Sequence, residues 1–140
     1  MNKDGGISHF TSLGNDTAHI ILRGGKDGPN YSKEHIENTS DKLKDKGLVS
    51  KVMVDFSHAN SEKQFKNQLK VGANIAAQIE EGSESIFGVM IESHINEGNQ
   101  KVGPLPSLKY GVSITDSCIG WEDTESLLRD LAKSVKVRNS

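Results

Sequence analysis

Apolar positions follow two rhythms along this chain. In three short runs, HIILRG (19–24), KVMVDFSHA (51–59) and SIFGVMIESH (85–94), Ile and Val recur on both alternating faces. That pattern fits strands covered on both sides, as in a parallel sheet. The runs begin at residues 19, 51 and 85. One strand with its crossover helix takes about 30 residues or more, so the spacing predicts a βα repeat. The segments between and after the runs have helical spacing. YSKEHIENTSDKLKDKG puts Ile36 and Leu43 on one face, with Gly47 as the stop. SEKQFKNQLKVGANIAAQIEEG aligns Phe65, Leu69, Gly72, Ile75, Ala76 and Ile79. There Ser61 and Gln64 read as a capping box, and Gly82 follows the end. EDTESLLRDLAKSVKVR carries Leu127, Leu128, Leu131, Ala132 and Val135 as its stripe. Its acids crowd the first turn and its bases the last, which suits the helix dipole. The pattern as a whole predicts three consecutive βα units after a short polar segment. A long Gly- and Pro-rich loop over 95–121 is of the kind that often carries function.

Composition narrows the picture. The 140 residues suffice for one modest domain, but 34% hydrophobic and 5% aromatic residues give it a lean core. A net charge of −2 with scattered Lys and Arg offers no basic face for nucleic acid. No stretch approaches the roughly 20 apolar residues that span a bilayer, so no membrane partner is expected. MNKDGGISHF has no apolar signal core, and Cys118 has no cysteine to pair with. The chain therefore reads as cytoplasmic and reduced.

Each strand exits into polar, reactive residues. The first ends in Arg23, Gly24, Gly25 and Lys26. The second ends in Asp55, Ser57, His58 and Asn60, and the third in Glu92, Ser93 and His94. The following loop adds Asp116. In parallel α/β proteins ligands bind outside the carboxyl ends of the strands. A histidine and two carboxylates gathered there suit Mn, Fe or Zn. Glu92 shares side-chain parity with Gly88 and Met90, and Arg23 with His19 and Ile21. Asp55 and His58 have opposite parity, so only one faces the site unless the strand bends at its exit. Blander readings stand beside these. A histidine at a strand end is more often structural than a ligand, and Asp116 can simply serve backbone amides in its loop. RGGK suits a tight turn and an anion but lacks any Walker or dinucleotide spacing. Burying several polar groups at equivalent points of consecutive units without a task is costly, which favours a site.

Taken in order, HIILRGGK…PNYS, MVDFSHANS.KQ, GVMIESHINEGNQ and YGVSITDSCIGWEDTE.LL closely resemble the C-terminal part of type I 3-deoxy-D-arabino-heptulosonate 7-phosphate synthases, the aromatic-feedback-regulated group. The resemblance runs from about Gly6 to Arg138. It implies a (β/α)8 barrel of which residues 1–140 supply the C-terminal three βα units, strands six to eight, leaving an incomplete barrel with two open edges. It also implies the first reaction of the shikimate pathway. Phosphoenolpyruvate is condensed with erythrose 4-phosphate, phosphate is released, and a divalent cation (Mn, Fe, Co or Zn) is required. By motif, His58 of SHAN, Glu92 of ESH and Asp116 of ITD correspond to metal ligands. Arg23 corresponds to the arginine on the phosphoenolpyruvate phosphate, with Lys26 beside it as a second substrate-binding cation. Catalysis would rest on His58 and Arg23.

Two departures qualify the resemblance. RGGKDGPNY has one residue more than the usual RGGK.PNY. The family's metal-binding cysteine lies in the N-terminal half of the barrel, and Cys118 does not match it by motif. The basic residues for erythrose 4-phosphate, most of those for phosphoenolpyruvate and most of the regulatory site are missing too. The expectation is a gene fragment, a truncated gene model or half of a split enzyme. Alone, it should be inactive, and it should be marginal in stability, aggregate, or need a partner carrying the other strands. The parent enzyme is expected to be a homo-oligomer. The sister synthase that makes 3-deoxy-octulosonate 8-phosphate is a weaker alternative, opposed by RGGK, GNQ and IGWEDT.

Overall fold

A computed structural model describes residues 3–140. The elements alternate as read from the pattern: β1 (Ile20–Leu22), α1 (Lys33–Asp45), β2 (Val52–Asp55), α2 (Asn67–Glu80), β3 (Ile86–Met90) and α3 (Trp121–Arg138). A single 3-10 turn, Leu105–Ser107, interrupts the long loop before α3. The three strands form one parallel sheet in the order β1-β2-β3. Each strand is shorter than its apolar run, because the polar exit residues leave the ladder to turn toward one another.

Register explains which side chains are buried. Ile20, Val52 and Ile86 are partners across the sheet, as are Leu22, Val54 and Val89. Val52 and Val54 are fully buried in one cluster with Ile36 and Leu43 of α1, Val71, Ile75 and Ile79 of α2, and Leu127 and Leu131 of α3. The opposite row, Ile21, Met53 and Gly88, carries no helix among the described residues. Ile21 and Met90 remain 38% and 39% exposed there. Parallel sheets are ordinarily covered on both faces; this one is covered on one.

Helix ends are set by glycine. α1 and α2 both close in a Schellman arrangement. The amide of Leu48 reaches the carbonyl of Leu43, and that of Ser83 reaches Gln78. Gly47 and Gly82 supply the left-handed residue, at φ +67° and +96°. The other end of α2 departs from expectation. The helix starts at Asn67, with no side-chain cap at Lys66. Ser61 makes no capping box and donates its hydroxyl to the carbonyl of His58 instead. Glu62 and Lys63 adopt left-handed φ of +54° and +60°, which no helical turn accommodates. In α3 the buried stripe is Thr124, Leu127, Leu131 and Ser134, whereas Leu128 and Ala132 face outward. Ser134 fits because its hydroxyl bonds to Glu80 and to the carbonyl of Asp130.

Candidate metal centre

The turn after β2 builds the site. His58 takes φ +53°, an uncommon conformation for a non-glycine residue. That bend removes the parity conflict, and His58 and Asp55 come together instead of pointing apart. Asn60 secures the turn from within. Its amide donates to the carbonyls of Leu22 and Asp55, and its Oδ1 accepts from the amide of Asn30. One buried side chain thus ties the ends of β1 and β2 to the loop that follows β1. Gly24, at φ +76°, lies so close to this turn that an added Cβ would stand 2.6 Å from the Ala59 Cβ and 2.9 Å from the Asn60 amide nitrogen. The glycine after Arg23 is needed for that close approach.

Glu92 is held just as firmly. Its backbone N–H donates to Gln68 Oε1 and its carbonyl accepts from Gln68 Nε2, at 2.9 and 3.0 Å. Gln68 is fully buried on α2 and extends the edge of β3 with a side chain in place of a strand. The Ser57 hydroxyl donates to Glu92 Oε2. Asp116 arrives from the long loop. The amide of Ile119 donates to the Glu92 carbonyl, and that of His94 donates to the Ile119 carbonyl, so residues following Asp116 run beside the end of β3. Asn99 steadies the same loop through the Thr115 carbonyl.

The result is a cluster in which ligand atoms of His58, Glu92 and Asp116 lie within 4.8 Å of one another. His58 Nε2 is 3.6 Å from Glu92 Oε1. A cavity of about 390 Å³ opens over the cluster, lined also by Ser57, Lys63, Phe65 and Asn99. One imidazole and two carboxylates fit a divalent first-row cation in their donor chemistry. The spread of the donor atoms is one that a single ion can draw together. Cys118 is not in the cluster. It is buried, its Sγ faces the Asp116 carbonyl at 3.5 Å, and burial pushes its thiol up from the ordinary cysteine range.

The other candidates are placed differently. Arg23 Nε lies 3.9 Å from Asp55 Oδ2, with the guanidinium largely in solvent. Lys26 sits with Asp27 at the tip of a two-residue hairpin closed by reciprocal Gly25–Gly28 backbone bonds. It is exposed and does not line the cavity. The residue in excess of the usual motif is therefore absorbed in a self-contained turn. Ser93 bonds the Thr124 hydroxyl of α3, and His94 accepts the Ile95 amide, so both serve the loop. Lys63 and Gln68 escaped the sequence reading. For Gln68 a signal existed: a polar residue in register with Val71, Ile75 and Ile79 on the apolar face of a helix.

Comparison with known proteins gives a consistent answer. The chain is 56% identical over 138 residues to the Phe-sensitive phospho-2-dehydro-3-deoxyheptonate aldolase of Escherichia coli, covering 99% of this chain and 39% of that protein. It is 51% identical to the phenylalanine-inhibited enzyme of that name from Saccharomyces cerevisiae, again over 99% of this chain and 39% of the relative. A solved structure of phospho-2-dehydro-3-deoxyheptonate aldolase from Francisella tularensis superposes with a TM-score of 0.87 at 47% identity, covering 94% of this chain and 38% of that one. The chain thus spans about two-fifths of the length of the relatives it matches. Residues 5–129 match the family described as DAHP synthetase I, and the chain belongs to that family.

Proposed function

We propose that this chain carries three metal ligands and the phosphoenolpyruvate-phosphate contact of a 3-deoxy-D-arabino-heptulosonate 7-phosphate synthase, as strands six to eight of one (β/α)8 barrel domain. The observation that carries the reading is the convergence of His58, Glu92 and Asp116 at the carboxyl ends of parallel strands, where folds of this class bind ligands. In the reaction, carbon 3 of phosphoenolpyruvate bonds to the aldehyde carbon of erythrose 4-phosphate. Water adds at carbon 2, and phosphate leaves with cleavage of the C–O bond. This is the first step of the shikimate pathway.

The residues divide the work by their chemistry. His58, Glu92 and Asp116 would hold the divalent cation (Mn, Fe, Co or Zn), which when bound supplies Lewis-acid polarisation of an aldehyde oxygen. Arg23 binds the phosphoenolpyruvate phosphate through its planar fork of donors. Lys26 adds positive charge near Arg23, and Lys63 adds it within the cavity itself. Ser57 and Gln68 keep the Glu92 carboxylate aimed. The remaining strands, the further ligand and the erythrose 4-phosphate contacts come from polypeptide outside residues 1–140. Homo-oligomeric assembly and cytoplasmic residence complete the reading.

A second reading is favoured by the uncovered sheet face with Ile21, Met53 and Met90. On that reading, the polypeptide by itself is a fragment with no catalysis of its own. One experiment tests both. The chain is combined with the N-terminal part of the Escherichia coli relative, and phosphoenolpyruvate consumption is followed with Mn²⁺ and erythrose 4-phosphate. Turnover is expected from the combination, and His58→Ala should abolish Mn²⁺ binding and turnover together. A metal-replete, active His58→Ala variant would sink the assignment.

A further inference from the structure

Asp55 is the least exposed carboxylate among the described residues, with a side chain 2% accessible. It sits where the proposed metal site meets the proposed phosphate contact. Its Oδ1 accepts the Ser57 amide at 2.9 Å. Its Oδ2 faces two cations or potential cations, His58 Nδ1 at 2.8 Å and Arg23 Nε at 3.9 Å. His58 Nδ1 is itself buried and meets no aligned hydrogen-bond partner among the described residues. A buried ring nitrogen without a partner is costly. A small rotation of the ring would align its Nδ1–H with the carboxylate oxygen already at contact distance. The ring's other nitrogen, Nε2, faces Glu92.

We propose that Asp55 is the positioning residue of this site. Its carboxylate holds the His58 imidazole in the Nδ1–H tautomer, so that the Nε2 lone pair is presented toward Glu92 and Asp116, and the same oxygen steadies the Arg23 guanidinium. Neutral imidazole in water favours the opposite tautomer, whose Nε2 carries the proton and cannot coordinate. A carboxylate behind a ligating histidine fixes both the tautomer and the ring orientation. A role limited to shaping the turn would need only Oδ1 on the Ser57 amide. It leaves unexplained why Oδ2 is turned toward the histidine. The inference rests on the metal reading for its functional consequence, while the tautomer itself can be read without metal.

The test uses the full chain labelled with ¹⁵N-histidine, metal-free and at alkaline pH. Two-bond ¹H–¹⁵N spectra report the tautomer, and His58→Gln identifies the His58 signals among the five histidines. His58 should be Nδ1–H in the wild type and revert to Nε2–H in Asp55→Ala. Mn²⁺ titration followed by electron paramagnetic resonance should show affinity falling about 10- to 100-fold in Asp55→Ala, and less in Asp55→Asn, whose amide oxygen still accepts. An Nε2–H ring in the wild type overturns the proposal, as does a tautomer indifferent to Asp55→Ala. If Asp55→Ala fails to fold, the wild-type tautomer alone decides. If the tautomer behaves as expected but the wild type binds no Mn²⁺ even when combined with the N-terminal part of the Escherichia coli relative, the positioning role stands and the metal reading falls.

Discussion

At the scale of single residues, the site depends on backbone conformations that side chains ordinarily avoid. His58 is left-handed without being glycine, and Gly24 is left-handed against the backbone of Ala59 and Asn60. Gly24→Ala should therefore destabilise the chain by about 2 kcal/mol or more, combining left-handed strain with a clash against backbone. It should also disturb the His58 turn. Urea denaturation measures the first effect, and Mn²⁺ affinity the second. A loss under half a kcal/mol would show that the two loops can part at little cost. Glu92 and Asp116 were legible as candidates in the sequence because each lies in a dense local motif. The pairing of Asp55 with His58 was not legible. Strand parity set them on opposite sides, and only the left-handed turn at His58 reverses that. Gln68 was hidden for a different reason: its partners are the backbone groups of Glu92, and backbone groups have no sequence signature.

Among elements, the order and type of strands and helices follow from periodicity, and their ends follow only where glycine dictates them. Gly47 and Gly82 stop α1 and α2 as read. The capping-box pattern at Ser61 and Gln64 misleads because the same residues are already used to shape the turn after β2. The contact of α2 with α3 turns on Gly72. A Cβ there would overlap Leu127 Cδ1 and stand 3.0 Å from Phe56 Cε2. Alanine in place of this glycine gains about 1 kcal/mol of helix propensity but must push against both side chains. Gly72→Ala should thus destabilise the chain by about 1 kcal/mol net. In a Leu127→Ala background, where the space is vacated, it should be neutral or stabilising. A double-mutant cycle by urea unfolding should give a coupling of about 1 kcal/mol or more. Simple additivity would mean the helices slide apart freely.

For the molecule as a whole, the decisive property is asymmetry. The helices and the strand residues facing them form one core, while the other sheet face and both edges lack partners among the described residues. Unpaired edges and uncovered apolar rows invite association. Purified 1–140 should show concentration-dependent self-association in sedimentation and no phosphoenolpyruvate consumption with Mn²⁺ and erythrose 4-phosphate. Robust turnover by the chain alone would refute the view that further strands are required. The helical side of this architecture could be read from the sequence, because amphipathic stripes announce what they face. The bare side is invisible to periodicity, since runs apolar on both faces look the same whether or not a neighbour is present; it was expected only from the family resemblance. Among the described residues, β2 alone has a strand on each side. Its peptide hydrogens from Val52 to Asp55 should be the last to trade for deuterium, outlasting those of β1. The middle of the sheet would then keep time for the unfolding of everything around it.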